Sequence, residues 1–85
     1  MNTEKTFADR LKELRNIRNY TQEELGKITN ISVQSIRRYE QGRLNEEPSA
    51  YNLLQLAKAL DVTPEYLLIG DNNMTSYTEA IKREL

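Results

Sequence analysis

An all-α fold is predicted from three features of this 85-residue chain. Apolar residues recur at helical spacing in five clusters, no alternating apolar run of strand type occurs, and a residue able to cap a helix stands before each cluster. The length suits one small domain with a modest core, which an all-helical fold can bury well enough.

The elements follow in order. Thr6 with Asp9 opens the first helix, and Phe7, Leu11, Leu14 and Ile17 form its expected buried stripe until Asn19. Thr21 and Glu24 stand at capping-box spacing, so a second helix starts at Gln22. Gly26 lies inside that helix, where it costs roughly 1 kcal/mol relative to alanine. A packing reason is therefore expected, namely a neighbouring helix crossing too closely for a side chain. Asn30 suits a left-handed turn position, and Ser32 caps a third helix that ends at Gly42. Leu25, Ile31, Ile36 and Tyr39 are placed to bury together. After an irregular polar loop from Arg43 to Pro48, Ser49 caps a fourth helix running to Leu60, with Leu53, Leu56, Ala57 and Leu60 inward. Thr63 caps a short fifth helix with Pro64 at its first position, and Gly70 closes it. Residues 1–70 thus form one domain.

Residues 71–85 read as a linker and a short tail. Asp71 to Met74 connect to a second clear capping box, Ser76 with Glu79, and Tyr77, Ile81 and Leu85 recur along one side of the helix that follows. A helix of about ten residues is marginal alone in water, so this stripe needs a partner. The domain itself, a second chain across a two-fold axis, or a further domain would each serve, with dimer contact the leading reading.

Composition narrows the chemistry. The chain has no cysteine, which removes disulfides and thiolate metal sites, and no histidine, which removes the usual general base and the commonest zinc ligand. Neither an enzyme nor a cofactor is indicated. With no apolar leader and no apolar span of about 20 residues, a soluble, cytoplasmic protein with no membrane partner is expected. The formal net charge is −1, but its distribution is uneven. Residues 10–43 hold eight Lys/Arg against four Asp/Glu, whereas residues 44–85 hold three against seven. The cationic half is the half that contains the second and third helices, and distribution counts for more than the sum when the partner is a polyanion.

Two short helices joined by a tight turn, the second bearing Arg37 and Arg38, can present one rigid rod to the major groove of DNA. The stretch from about Phe7 to Gly70 resembles the Cro/repressor type of helix-turn-helix domain, also called the xenobiotic response element family. The resemblance rests on Leu14-Arg15 and Arg18, Thr21-Gln22-Glu23-Glu24-Leu25, Ser32, Ile36, Arg38-Tyr39-Glu40 and Gly42. It continues through Leu56-Ala57-Lys58-Ala59-Leu60, Val62 and Tyr66-Leu67-Leu68. It implies a compact five-helix, lambda-repressor-like domain that binds operator DNA, usually as a symmetric dimer, and regulates transcription.

With Ile36 and Tyr39 inward, Val33, Gln34, Arg37, Arg38 and Gln41 occupy the remaining arc of the third helix. By position in the family motif, Val33, Gln34 and Arg38 are candidates for base edges, and Ser35 and Arg37 for phosphates. Gln34 suits adenine, Arg38 guanine, and Val33 a thymine methyl. Gln22 sits at the positive end of the second helix, where an anion is favoured, and the family uses a glutamine there to grip the backbone. Arg10, Arg18, Lys27 and Arg43 are further phosphate candidates, Arg43 the foremost. Arg15 and Glu40 are set apart as a structural pair, which in the family links the first helix to the end of the third.

Two departures from the family pattern stand out. Thr29 occupies a usual leucine position and Ile28 a usual polar one, so the apolar side chain has moved by one place. The loop after Gly42 is longer than usual and carries Glu46 and Glu47, which would repel phosphate unless turned away. Two function classes remain open on the sequence. One is a sequence-specific regulator, a repressor of phage or mobile-element type acting as a homodimer. The other is a protein-interaction module on the same fold, antitoxin-like or regulator-binding, which the acidic half and the tail stripe favour slightly.

Overall fold

The computed structural model describes residues 5–42 and 47–70. Within them lie five helices in chain order: α1 (Phe7–Ile17), α2 (Gln22–Thr29), α3 (Val33–Gln41), α4 (Ala50–Leu60) and α5 (Pro64–Ile69). No strand occurs among the described residues.

Side-chain hydroxyls decide where each helix begins. Thr6, Thr21, Ser32, Ser49 and Thr63 all hold extended backbone and accept from the amide three residues on. Each such cap is worth about 1 kcal/mol. Thr6 with Asp9 and Thr21 with Glu24 form complete capping boxes, the carboxylate accepting in return from the cap's own amide at 3.1 and 2.9 Å. Left-handed residues end three of the helical runs: Asn30 (φ 60) after α2, Gly42 (φ 69) after α3 and Asp61 (φ 59) after α4. Beyond α1 the same device appears at Asn19 (φ 61), which returns the chain so that the Tyr20 amide donates to Arg15 O at 3.1 Å.

The core is one cluster formed by Leu11, Leu25, Ile31, Ile36, Tyr39, Leu56, Leu60 and Leu67, with Phe7, Leu14, Tyr20, Leu53, Ala59 and Val62 packed around it. Burying each large apolar side chain contributes roughly 1.5–3 kcal/mol. α1 packs on α3 and α5, α2 on α3 and α4, and α4 on α5. Tyr39 ties α3 to α1 and to α4. Its ring meets Phe7 edge-on with centroids 6.0 Å apart, and its hydroxyl accepts from Asn52 Nδ2 at 3.1 Å.

One expectation about packing is corrected. Ile17 is 68% exposed, not part of the buried stripe, because α1 ends there and the reversal at Asn19 brings Tyr20 against the core instead. The shift of the apolar residue to Ile28 does not carry it inward: Ile28 is half exposed and Thr29 is buried. Threonine fits there because its hydroxyl donates to Leu25 O at 2.7 Å, leaving its methyl for the interior. The expected linker and tail helix, with Tyr77, Ile81 and Leu85, lie outside the described residues, as do Arg43 and Glu46 of the long loop.

Candidate nucleic-acid interface

The angle between α2 and α3 is set at Gly26. A Cβ on this residue would lie 2.8 Å from Ile31 O and 3.6 Å from Val33 N, so the crowding comes from the backbone of the turn and not from a crossing helix, as the sequence suggested. Gly26 O in turn accepts from the amides of Asn30 and Ile31, the latter at 3.0 Å. The turn is therefore folded directly onto the last part of α2, and α3 starts from a fixed point.

From there the side chains of α3 divide cleanly. Ile36, Tyr39 and Glu40 are buried, Gln34, Arg37, Arg38 and Gln41 are exposed, and Val33 and Ser35 are half-buried. The exposed arc carries two guanidinium groups and two carboxamides with no carboxylate of its own. The hydroxyls of Ser32 and Ser35 are bonded to each other at 3.0 Å, and the Ser32 Oγ also accepts the Ser35 amide. Arg37 reaches across to α2, where Nη2 lies 3.2 Å from Glu23 Oε2; both side chains are exposed, so the pair is weak.

Buried beside this surface is a network centred on Glu40. Arg15 donates to the Glu40 carboxylate from Nε at 2.6 Å and from Nη2 at 3.0 Å, and gives its Nη1 hydrogen to Tyr20 O at 2.8 Å. The Glu40 side chain is 3% exposed and that of Arg15 13%. The hydrogen bonds to Glu40 hold the Arg15 guanidinium above its ordinary pKa, against the opposing effect of burial. A paired, hydrogen-bonded arrangement of this kind is how a charge is tolerated in the interior. The Gln22 carboxamide joins the same carboxylate, with Nε2 donating to Glu40 Oε1 at 3.1 Å.

The remaining cations differ in their circumstances. Arg10 is not available to a phosphate: it is 6% exposed, with Nε on Leu67 O at 2.9 Å, Nη1 on Lys5 O at 2.7 Å and Nη2 on Leu68 O. Its charge sits where the last carbonyls of α5 concentrate negative potential, which is a capping role. Arg18 stands 3.5 Å from Asp61 in an exposed pair, and Lys27 is exposed on α2. Sequence reasoning missed both the burial of Arg10 and the bond between Gln22 and Glu40. Leu67 and Leu68 lie far along the chain from Arg10, and Glu40 from Gln22, so no local spacing announces these bonds.

A pair of helices joined by a left-handed turn, the second anchored by its apolar side and exposed along its polar one, defines a helix-turn-helix module. A family model described as helix-turn-helix matches residues 11–67, and the chain belongs to this family, in its Cro/repressor type. It is 38% identical over 76 residues to Repressor protein C2 of Salmonella phage P22, covering 89% of this chain and 34% of that protein. It is 34% identical over 68 residues to the HTH-type transcriptional regulator DicA of Escherichia coli (strain K12), covering 80% of this chain and 49% of DicA. The chain thus spans about a third and about a half of these two curated relatives. Among solved structures it is similar to the P22 c2 repressor protein in complex with a synthetic operator, with a TM-score of 0.73 and 34% identity over 80% of this chain and 100% of that one. It is also similar to the restriction-modification controller protein C.AhdI from Aeromonas hydrophila, with a TM-score of 0.66 and 34% identity over 73% and 91% of the two chains.

Proposed function

We propose that this protein is a sequence-specific double-stranded DNA-binding transcription regulator, a cytoplasmic repressor of phage or mobile-element type that binds a palindromic operator as a homodimer. The observation that carries the reading is the exposed arc of Gln34, Arg37, Arg38 and Gln41 on a helix whose other side is locked into the core. The likeness to a repressor solved with an operator supports it.

In this reading α3 lies in the major groove. Gln34 meets adenine, Arg38 guanine and Val33 a thymine methyl, contacts that carry sequence preference. Gln22, Ser35, Arg37 and Arg43 hold phosphates and set the register without reading bases. Arg37 would exchange Glu23 for a phosphate on binding. Arg15 and Glu40 stay within the protein and fix the placement of α3.

Selection of bound sequences from random duplexes, followed by a salt titration, tests the proposal. The expected result is an enriched palindrome with half-sites about one helical turn apart, a Kd on the order of 10⁻⁸ to 10⁻¹¹ M, and steep weakening as salt rises. No enriched sequence, together with salt-insensitive binding to another protein, would instead establish the fold as a protein-interaction module.

A further inference from the structure

We propose that Glu40 is a positioning residue for DNA binding, orienting the Gln22 carboxamide so that its nitrogen, not its oxygen, is presented to a phosphate. The inference rests on the reading above, in which the start of α2 meets the DNA backbone.

The argument begins with what each group can do. A carboxylate and a phosphate both accept hydrogen bonds and donate none, while a carboxamide has a nitrogen with two hydrogens and an oxygen with none. A glutamine left to itself can turn either end toward an anion, and one of the two orientations repels it. Gln22 has no such choice. Its neighbour at 3.1 Å is Glu40 Oε1, so the nitrogen must face Glu40. One N–H is then engaged inside the protein and the other remains on the same atom of a half-buried side chain at the first position of α2. The carboxylate that imposes this is itself immobile, held by two bonds from Arg15 with 3% of its side chain exposed. The third donor of Arg15 fixes Tyr20 O, immediately before the Thr21 cap that starts α2. Both the backbone at the head of α2 and the carboxamide on it are therefore referred to one buried ion pair.

The test uses a sign that charge alone would reverse. Glu40→Gln removes a negative charge next to a surface that meets a polyanion, so Coulomb's law predicts tighter binding. Positioning predicts weaker binding, by about three- to ten-fold, the range of one neutral hydrogen bond, on selected and unrelated duplexes alike. Affinities are measured below the melting temperature of every variant, for the wild type, Glu40→Gln, Gln22→Ala and the double variant. Glu40→Gln is expected to weaken the wild type more than it weakens the Gln22→Ala background, where only its hold on α3 remains to be lost. Equal weakening in both backgrounds, or tighter binding by Glu40→Gln, overturns the positioning role while leaving DNA binding in place. A wild type that binds no duplex overturns the proposed function and this inference with it.

The side-chain amide resonances of Gln22 in the unmodified protein give the same answer without relying on a variant that folds. Two well-separated protons are expected, one set by Glu40 and the other moving when duplex is added. Gln22 protons that coincide with those of the exposed Gln34 and Gln41 would overturn the inference.

Discussion

Replacing Gly26 by alanine sets two well-measured effects against each other. Helix propensity favours alanine over glycine by about 1 kcal/mol in a helix interior, so on that ground alone Gly26→Ala raises stability. The added Cβ, however, would stand 2.8 Å from Ile31 O, whereas a comfortable carbon–oxygen contact is about 3.3–3.6 Å. The oxygen belongs to backbone, not to the movable end of a side chain, so relief requires displacing the turn. Overpacking of this kind costs roughly 1–3 kcal/mol. The larger effect is the clash, and the expected net is a destabilisation of about 1 kcal/mol. For a domain of this size that lowers Tm by about 4–8 °C. Thermal unfolding followed by far-ultraviolet circular dichroism reads the sign directly. A Tm raised by several degrees would refute the claim that the turn backbone excludes a side chain at this place.

Other outcomes follow from the same contacts. Arg15→Ala leaves the Glu40 carboxylate buried without its ion and is expected to cost roughly 3 kcal/mol, measured by urea denaturation; an unchanged midpoint would remove the structural role of the pair. Arg10→Ala uncaps the Leu67 and Leu68 carbonyls and should cost at least about 2 kcal/mol. Arg10→Lys should recover only part of that in the same assay, since an ammonium lacks the planar fork of donors. Stability should be flat between pH 6 and 8, because the chain has no histidine or cysteine. Among the described residues, the two groups with displaced pKa values, Lys5 and Arg15, are both raised. A raised cation favours the folded state below its unfolded pKa and loses that contribution as pH climbs through the folded value, so any fall from these groups belongs above about pH 10.

What the sequence disclosed was what acts locally. All five caps could be read from a hydroxyl and the amide three residues on, and Asn30 and Gly42 from the need for a left-handed residue. The inward residues of α3 and α4 followed from helical periodicity. Interactions between distant segments were not legible. Arg10 looked like a surface cation because its partners, Leu67 and Leu68, offer backbone oxygens that carry no side-chain signature. Ile17 fitted the stripe of α1, but periodicity does not say where the opposing core stops. Gly26 was correctly suspected of crowding, yet which atoms crowd it depends on the path of the turn. The resemblance supplied the pairing of Arg15 with Glu40, while the recruitment of Gln22 to the same carboxylate emerged only in three dimensions.

Placement of α3 in the major groove is tested most directly by dimethyl sulfate footprinting of the bound duplex, since guanine N7 is reached through that groove. Protection of guanine N7 within each half-site is predicted, with one protected guanine per half-site becoming reactive again in the complex with Arg38→Ala. Full reactivity of every guanine N7 under saturating protein would contradict the account.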